Sequence, residues 1–520
     1  MSNLKKSATS VVMITTFTLA SKFLGFFREA LIASNYGSSA GTDTYFIAMT
    51  AVTLFSTIIY QTINTTMIPV LSDVEAREGK KGKVFHLNNF LNITLVVSLI
   101  IMVIAYFSTP LLMEFLGKGF EGEQFAQAIS IARIGLPFIF FSSLVGVFRG
   151  YLQSEERFNE TALGGFPTNI VFIVFLLFFS QHFSIKALMV TAVIAEAAQL
   201  IVQVPALKQI GYRYKMVFDL KDKYIQQIGT LIPPVLIGVA VGDFNSMIDQ
   251  SMASSLPNGS VSALNYGNAL NNIVLSVFIT SIITVVFPML SKEANKDNTI
   301  GLKKLLQTSL NFVLLITVPA SVGIAVLANP IVKLAYQRGE FGELATTMTS
   351  GALTFYALGL TAYGVNTLLT RVFYSLKDTK SPMINGVYGL SLNLVFNLIL
   401  VRYMAHNGLA LASSISATLS VLILLFRLHK KIGRLGLREM GRSTVKILIS
   451  ALIMGIGSYF TYHSLVNTLN PSRIIELMIV GLAILVSIII YLISLYLFKV
   501  TELMFGINHV KKIINKRKNK

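Results

Sequence analysis

The 520-residue chain is 53% hydrophobic and only 13% charged, with a mean hydropathy of +0.67. Soluble domains carry about 25% charged residues, so this composition defines a polytopic membrane protein, and continuous rather than alternating apolar runs exclude a β-barrel. Cysteine is absent, which removes disulfides and thiolate metal ligands, and the six histidines have no repeated ligand spacing. The net charge of +19 sits at loop ends and in the tail, so it reads as positive-inside bias, and no nucleic-acid partner is expected.

The apolar runs predict an all-α protein of about fourteen transmembrane helices: 9–33, 44–72, 88–113, 125–150, 160–180, 185–206, 227–255, 262–291, 303–328, 344–375, 381–402, 407–428, 444–465 and 474–498. Two lysines precede the first run without a small-residue cleavage pattern, so the first span is expected to be retained. Arg77, Lys80, Lys81 and Lys83 follow the second span, and further basic clusters fill 208–223, 292–304 and 427–446. The loops 34–43, 181–184, 256–261 and 466–472 hold no lysine or arginine, which predicts that both termini are cytoplasmic. The basic tail suits anionic membrane lipids, at about 1 kcal/mol per basic residue.

The first span carries charge inside an apolar helix. Lys22, Arg28 and Glu29 lie within SKFLGFFREALIA, with Lys22, Gly25 and Glu29 on one stripe and Arg28 about a quarter-turn away. A charge at this depth costs about 2.5–3.5 kcal/mol and normally faces protein or a wet cavity. Arg133, Glu196, Asp243, Asp249 and Arg371 are further charges within spans. Arg133 and Glu196 can be pairing groups, and Arg371 lies near an interface. Asp249, one turn after Asn245 in GDFNSMIDQS, has the oxygen neighbours for a small hard cation or a proton relay. Pro233 and Pro234 mark either a gating bend or a static kink.

An internal repeat divides the chain. Ile68, Pro69, Val70, Leu71 and Ser72 are echoed by Phe287, Pro288, Met289, Leu290 and Ser291. Pro110, Leu111 and Leu112 with Gly119 and Phe120 are echoed by Pro330, Ile331 and Val332 with Gly339, Glu340 and Phe341. The offset stays near 220 residues, which predicts two parallel-repeat six-helix lobes, 1–206 and 227–430, joined by a linker at 207–226. A C-terminal helix pair (431–498) and a tail (499–520) follow. Parallel repeats are a transporter architecture with the substrate near the midplane. No nucleotide-binding, hydrolase or kinase signature is present, so no enzyme is expected and transport needs a gradient.

Ser21–Glu29, Tyr36 with Gly37, and Asp43–Phe46 resemble the opening of the MurJ/MviN family of lipid II flippases, within the multidrug/oligosaccharidyl-lipid/polysaccharide exporter superfamily. The likeness extends through Ile68–Leu71, Gly259–Ser262, Tyr266, Phe287 with Pro288, and Tyr374–Pro382. The resemblance implies an alternating-access flippase for an undecaprenyl-pyrophosphate-linked saccharide in a bacterial cytoplasmic membrane. Cationic groups would hold the pyrophosphate, and a groove near spans 13 and 14 would take the isoprenoid tail. It implies substrate contacts from Lys22, Arg28, Glu29 and Asp43, sodium or proton coupling at Asp249 with Asp378, and cell-wall synthesis enzymes as partners. Lys22 stands where arginine is usual, replacing a bidentate fork by a point charge. Ser56, Gln61, Asn268, Ala269 and Asn272 occupy positions where the family is usually charged, leaving a less charged substrate cavity.

Lipid II is the leading expected substrate. A capsule, teichuronic acid or exopolysaccharide unit is the alternative within the same chemistry. A cation-coupled small-molecule exporter would favour an acidic, aromatic cavity, which Lys22 and Arg28 oppose. An envelope-complex scaffold would need its buried charges only for pairing.

Overall fold

The computed structural model describes residues 2–295, 299–469 and 472–500, and among them no strand occurs. The tail from 501 to 520 lies outside the described residues, as do the side chains of Pro233, Pro234 and Asp243. Contacts divide the chain into two compact units. One is Met1–Ser262 with Arg338–Gly342, and the other is Ala263–Gln337 with Glu343–Lys520. Helix 223–254, the seventh span, thus groups with the first unit, so contacts and duplication divide the chain at different points.

In the first unit the helices are α1 (Ser2–Tyr36), α2 (Ala40–Leu116), α3 (Gly122–Gly135), α4 (Pro137–Ser154), α5 (Phe158–Leu163), α6 (Gly165–Phe178), α7 (Ile185–Ala198), α8 (Leu200–Gln209) and α9 (Lys223–Ser254). The second helical series is α10 (Ser260–Val274), α11 (Thr280–Asn295), α12 (Thr299–Val326), α13 (Ala328–Tyr336), α14 (Glu343–Ser375), α15 (Lys380–Ile432), α16 (Leu437–Leu469) and α17 (Arg473–Leu497). A five-residue π-helix, Leu275–Ile279, joins α10 to α11.

Ten helical stretches among the described residues are long and apolar enough to cross a membrane. Two of them hold two spans each: α2 turns at Gly79 (φ 70°, ψ −174°), and α15 turns at Ala405 (φ 48°, ψ −132°). With α1 and α9 these accommodate the fourteen expected spans. Pro137 begins α4, where its missing N–H costs nothing, and this breaks the fourth span into α3 and α4.

The polar stretch 73–87, expected as a loop, is helical on both sides of Gly79. Its residues are mostly good helix formers, so the helices run past the apolar spans and only glycine's left-handed backbone reverses the chain. Lys83 is fully buried there, 2.7 Å from Glu75 Oε2 and 2.6 Å from Glu155 Oε1. His86 bridges Asp222 Oδ2 at 2.5 Å and Glu78 Oε2 at 2.8 Å. Asn88, Asn89 and Asn92 donate to the carbonyls of Arg213, Asp219 and Val217, which straps the extended linker before α9 along α2.

Each unit has its own core. In the first, Ile63, Met67 and Leu71 of α2 pack with Phe148 and Tyr151 of α4 and Tyr224 of α9. In the second, Leu310 and Val313 of α12, Leu368 and Phe373 of α14, Leu424 of α15 and Ile447 of α16 are joined by Tyr491 of α17. Val103, Phe107, Leu485 and Ile489 are among many large apolar side chains turned outward, as a lipid-facing surface requires.

Candidate functional site: a charged first helix and a glycine knot

On α1, Arg28 Nη2 donates to Glu29 Oε1 at 2.6 Å, with both side chains about one-fifth to one-quarter exposed (26% and 19%). The guanidinium carbon lies 5.0 Å from the Phe172 ring centroid on α6, and Arg28 Nε is buried without a hydrogen-bond partner among the described residues. Asn169 fixes α6 beside this stretch by donating to the Ser21 carbonyl at 3.0 Å. Glu29 therefore pairs with its neighbour Arg28. Lys22, two turns earlier, is exposed and has no ion-pair partner among the described residues. The helix holds one partly compensated guanidinium and one uncompensated ammonium, a pair that attracts a polyanion.

The loops at one end of the first unit form a knot around glycine. Asp43, 3% exposed near the start of α2, accepts from Gly259 N–H at 2.6 Å, from Ser262 N–H at 2.7 Å and from the Ser262 hydroxyl. Its carboxylate thereby serves the first turn of α10, whose N–H groups have no intrahelical acceptor. Ser38 Oγ donates to the Gly259 carbonyl at 2.9 Å, and Glu340 N–H donates to the Ser34 carbonyl at 2.9 Å. Gly339 has φ +57°, and a Cβ there would stand 2.2 Å from the Ser34 carbonyl oxygen. A Cβ on Gly119 would stand 2.3 Å from the Ser254 carbonyl oxygen. Gly119 and Ser254 sit 220 residues from Gly339 and Ser34 respectively, so the two close approaches are repeat-related copies of one contact.

The other expected site residues are dispersed. Ser56 is buried and donates within its own helix to Val52 and Thr53, whereas Gln61 is exposed. Asn268 and Asn272 are exposed on α10, with Asn272 Nδ2 donating to Asn268 Oδ1 at 3.1 Å. Arg133 stacks 4.2 Å from the Tyr106 centroid, Glu196 accepts from Gln199 at 2.7 Å, and Arg371 lies near the rings of Phe287 and Tyr374.

The two expected coupling carboxylates differ in their fit to a cation. Asp378 caps α15, accepting from Ser381 N–H and hydroxyl at 2.9 Å each, and Lys431 Nζ lies 2.7 Å away. An ammonium thus stands where a metal would bind. Asp249 lies one turn from Ser246, which lines a cavity of about 100 Å³ with Thr50, Thr53 and Thr57. Asp249 itself is not among the residues that line this cavity. Among the described residues no group of three or more His, Asp or Glu could hold a metal.

Sequence reasoning missed three polar features. Asn393 and Asn397 on α15 are fully buried, with Asn397 Nδ2 donating to Asn393 Oδ1 at 2.8 Å and Asn393 Nδ2 to Ser413 Oγ at 3.1 Å. Their four-residue spacing inside an apolar run was the available signal. Glu476, 4% exposed in the last span, pairs with Lys333, and the glycine knot joins segments far apart in sequence.

Long apolar helices in a repeated series, with charge retained at depth, define a multi-pass membrane transporter of the multidrug exporter fold. An inward-facing MATE-family transporter of the MOP superfamily superposes with a TM-score of 0.69 at 13% identity, covering 82% of this chain and 98% of that one. A structure of lipid II flippase MurJ in an inward closed conformation superposes with a TM-score of 0.76 at 24% identity, covering 94% and 98%. The family model for lipid II flippase MurJ matches residues 32–480, and the chain belongs to that family. A probable lipid II flippase MurJ of Rickettsia prowazekii is 28% identical over 505 residues, covering 95% of this chain and 98% of the relative. One from Vibrio cholerae is 26% identical over 453 residues, covering 85% and 86%. The protein is a multi-pass bacterial membrane transporter.

Proposed function

We propose that the protein moves lipid II, the undecaprenyl-pyrophosphate-linked peptidoglycan precursor, from the inner to the outer leaflet by alternating access. Family membership supports the substrate class, and the observation on this chain that carries the reading is Arg28. Its guanidinium is held by a single carboxylate inside an apolar helix, so a pyrophosphate can engage its remaining N–H donors while Glu29 orients it. Lys22 adds a second positive charge two turns away. An apolar cavity of about 440 Å³, lined by Leu314, Leu358, Val421, Leu425 and Thr444 among others, suits a segment of isoprenoid tail.

The two six-span repeats, 1–206 and 227–430, are the elements that exchange access, and both termini are cytoplasmic. The glycine knot then lies at the outer end, and its close approaches must part for release outward. Asp249 is the proposed position for a coupling sodium ion or proton. Asp378 acts as a helix cap held by Lys431 rather than as an ion ligand. Cell-wall synthesis enzymes are the protein partners this reading implies.

The test is outer-leaflet accessibility of lipid II in cells depleted of other flippases, comparing wild type with Arg28→Ala at matched membrane levels. Restoration by wild type alone supports both the substrate and the role of Arg28. Restoration by neither favours the second reading, another lipid-linked glycan, for which uncharged Ser56, Gln61, Asn268 and Asn272 are the supporting observation.

A further inference from the structure

Where α13 ends and α17 begins, a cavity of about 290 Å³ is lined by Lys333, Leu334, Gln337, Arg473 and Glu476. Glu476 accepts at Oε1 from Lys333 Nζ at 3.0 Å and from the Tyr462 hydroxyl at 2.9 Å, and its Oε2 lies 2.8 Å from the same ammonium. The buried carboxylate is therefore saturated and fixes Lys333, whose side chain remains 44% exposed. Arg473 is exposed and donates one N–H to the Gln337 carbonyl, leaving further guanidinium donors. Ser472 gives the start of α17 no side-chain cap, so its first-turn N–H groups add positive potential.

Gln337 lines this cavity, and its buried Oε1 accepts from no donor among the described residues, so a small turn of the amide would present it to an occupant. Glu476 compensates Lys333, so Arg473 leaves the cavity with one net positive charge, which suits an anion that also brings a hydrogen-bond donor. Immediately along α17, Ile474, Leu477 and Met478 are 73%, 59% and 60% exposed, an apolar strip beside a polar cavity. The lipid II reading assigns no role to Lys333, Gln337 or Arg473.

We propose that this cavity binds the headgroup of an anionic phospholipid, a glycerol phosphodiester. Arg473 and Lys333 hold its phosphate, a headgroup hydroxyl donates to Gln337 Oε1, and the acyl chains lie along the strip on α17. Arginine's planar fork matches two phosphate oxygens. A soluble glycerol phosphate shares the headgroup chemistry but cannot use the apolar strip.

The experiment is native mass spectrometry of the full-length protein in detergent, titrated with phosphatidylglycerol, phosphatidylmethanol (which lacks the hydroxyls) or phosphatidylcholine. Wild type is expected to retain one phosphatidylglycerol at least tenfold more tightly than phosphatidylcholine, and Arg473→Gln is expected to lose that preference with an unchanged melting temperature. Gln337→Leu keeps both cations and is expected to erase the preference for phosphatidylglycerol over phosphatidylmethanol only. Should Arg473→Gln not fold, that second variant decides. Equal retention of phosphatidylglycerol and phosphatidylcholine by wild type, or no change in either folded variant, overturns the site. Displacement of the lipid by an equal concentration of glycerol 3-phosphate overturns the lipid assignment in favour of a soluble phosphate ligand.

Discussion

Gly339→Ala isolates the glycine knot with a single methyl group. At φ +57° an L side chain costs about 1–2 kcal/mol relative to its relaxed backbone. The added Cβ would also sit 2.2 Å from the Ser34 carbonyl oxygen, which is backbone and cannot rotate away. The loops must separate, and the 2.9 Å bond from Glu340 N–H to that oxygen is lost, at about 0.5–1.5 kcal/mol. The sum is about 1.5–3.5 kcal/mol against the knotted form, or roughly ten- to several-hundred-fold in its population. The chain has no native cysteine, so Ser260→Cys, at a fully buried position in the knot, gives a clean reporter. A membrane-impermeant maleimide should label it at least tenfold faster in the Gly339→Ala background in intact cells. Gly119→Ala should act in the same direction, because it meets the repeat-related carbonyl of Ser254. Gly122→Ala, at φ +52° with nothing within 4 Å of its Cβ, supplies the backbone strain without the clash. Equal labelling in all backgrounds would refute the reasoning, as would an effect of Gly122→Ala matching that of Gly339→Ala.

Lys83→Met should lower stability by about 3 kcal/mol, because it leaves the Glu75 and Glu155 carboxylates facing one another without their shared buried cation; thermal unfolding in detergent reads it. Asp43→Asn should cost about 1–2 kcal/mol by turning an amide N–H₂ toward the N–H groups of Gly259 or Ser262, seen as a lower melting temperature with the helical signal retained. Against a burial effect that raises it, the Lys431 ammonium and the Ser381 N–H and hydroxyl hold the Asp378 carboxyl down to about 2 from its ordinary 3.8. The stabilisation this gives is present above about pH 3.8 and is lost as pH falls through about 2. Melting temperatures of wild type and Asp378→Asn should therefore differ at pH 6 and converge near pH 2, and a constant gap would count against the pairing.

The spans were legible because lipid solubility is written locally: about 20 apolar residues in sequence are enough to mark a helix. The repeat was legible for a similar reason, since Pro69 and Pro288 each stand near the end of a span. Pairing was much less visible. On stripe geometry alone, Lys22 and Glu29 share a face, yet Glu29 meets Arg28 because flexible neighbouring side chains can bend together across 100° of helix. The contact of Gly339 with Ser34 depends on where loops far apart in sequence come to rest, which no local pattern specifies. Asn393 and Asn397 carried a local signal, but amides in a span are uncharged and attract less notice than Asp249. The extension of α2 through 73–87 was hidden by polarity, which ends a membrane span without ending a helix.

The π-segment at Leu275–Ile279 gives the eighth span a place where chain length can change. A π-turn that loses one residue can close as ordinary α-helix, so a deletion within these five would leave Asn268 before it and Pro288 after it on their present faces. A deletion elsewhere in the same span would rotate everything downstream by about 100°. Relatives one residue shorter in this span are thus expected to align with their gap here, and evolution can test insertions at this turn without re-aiming the helix.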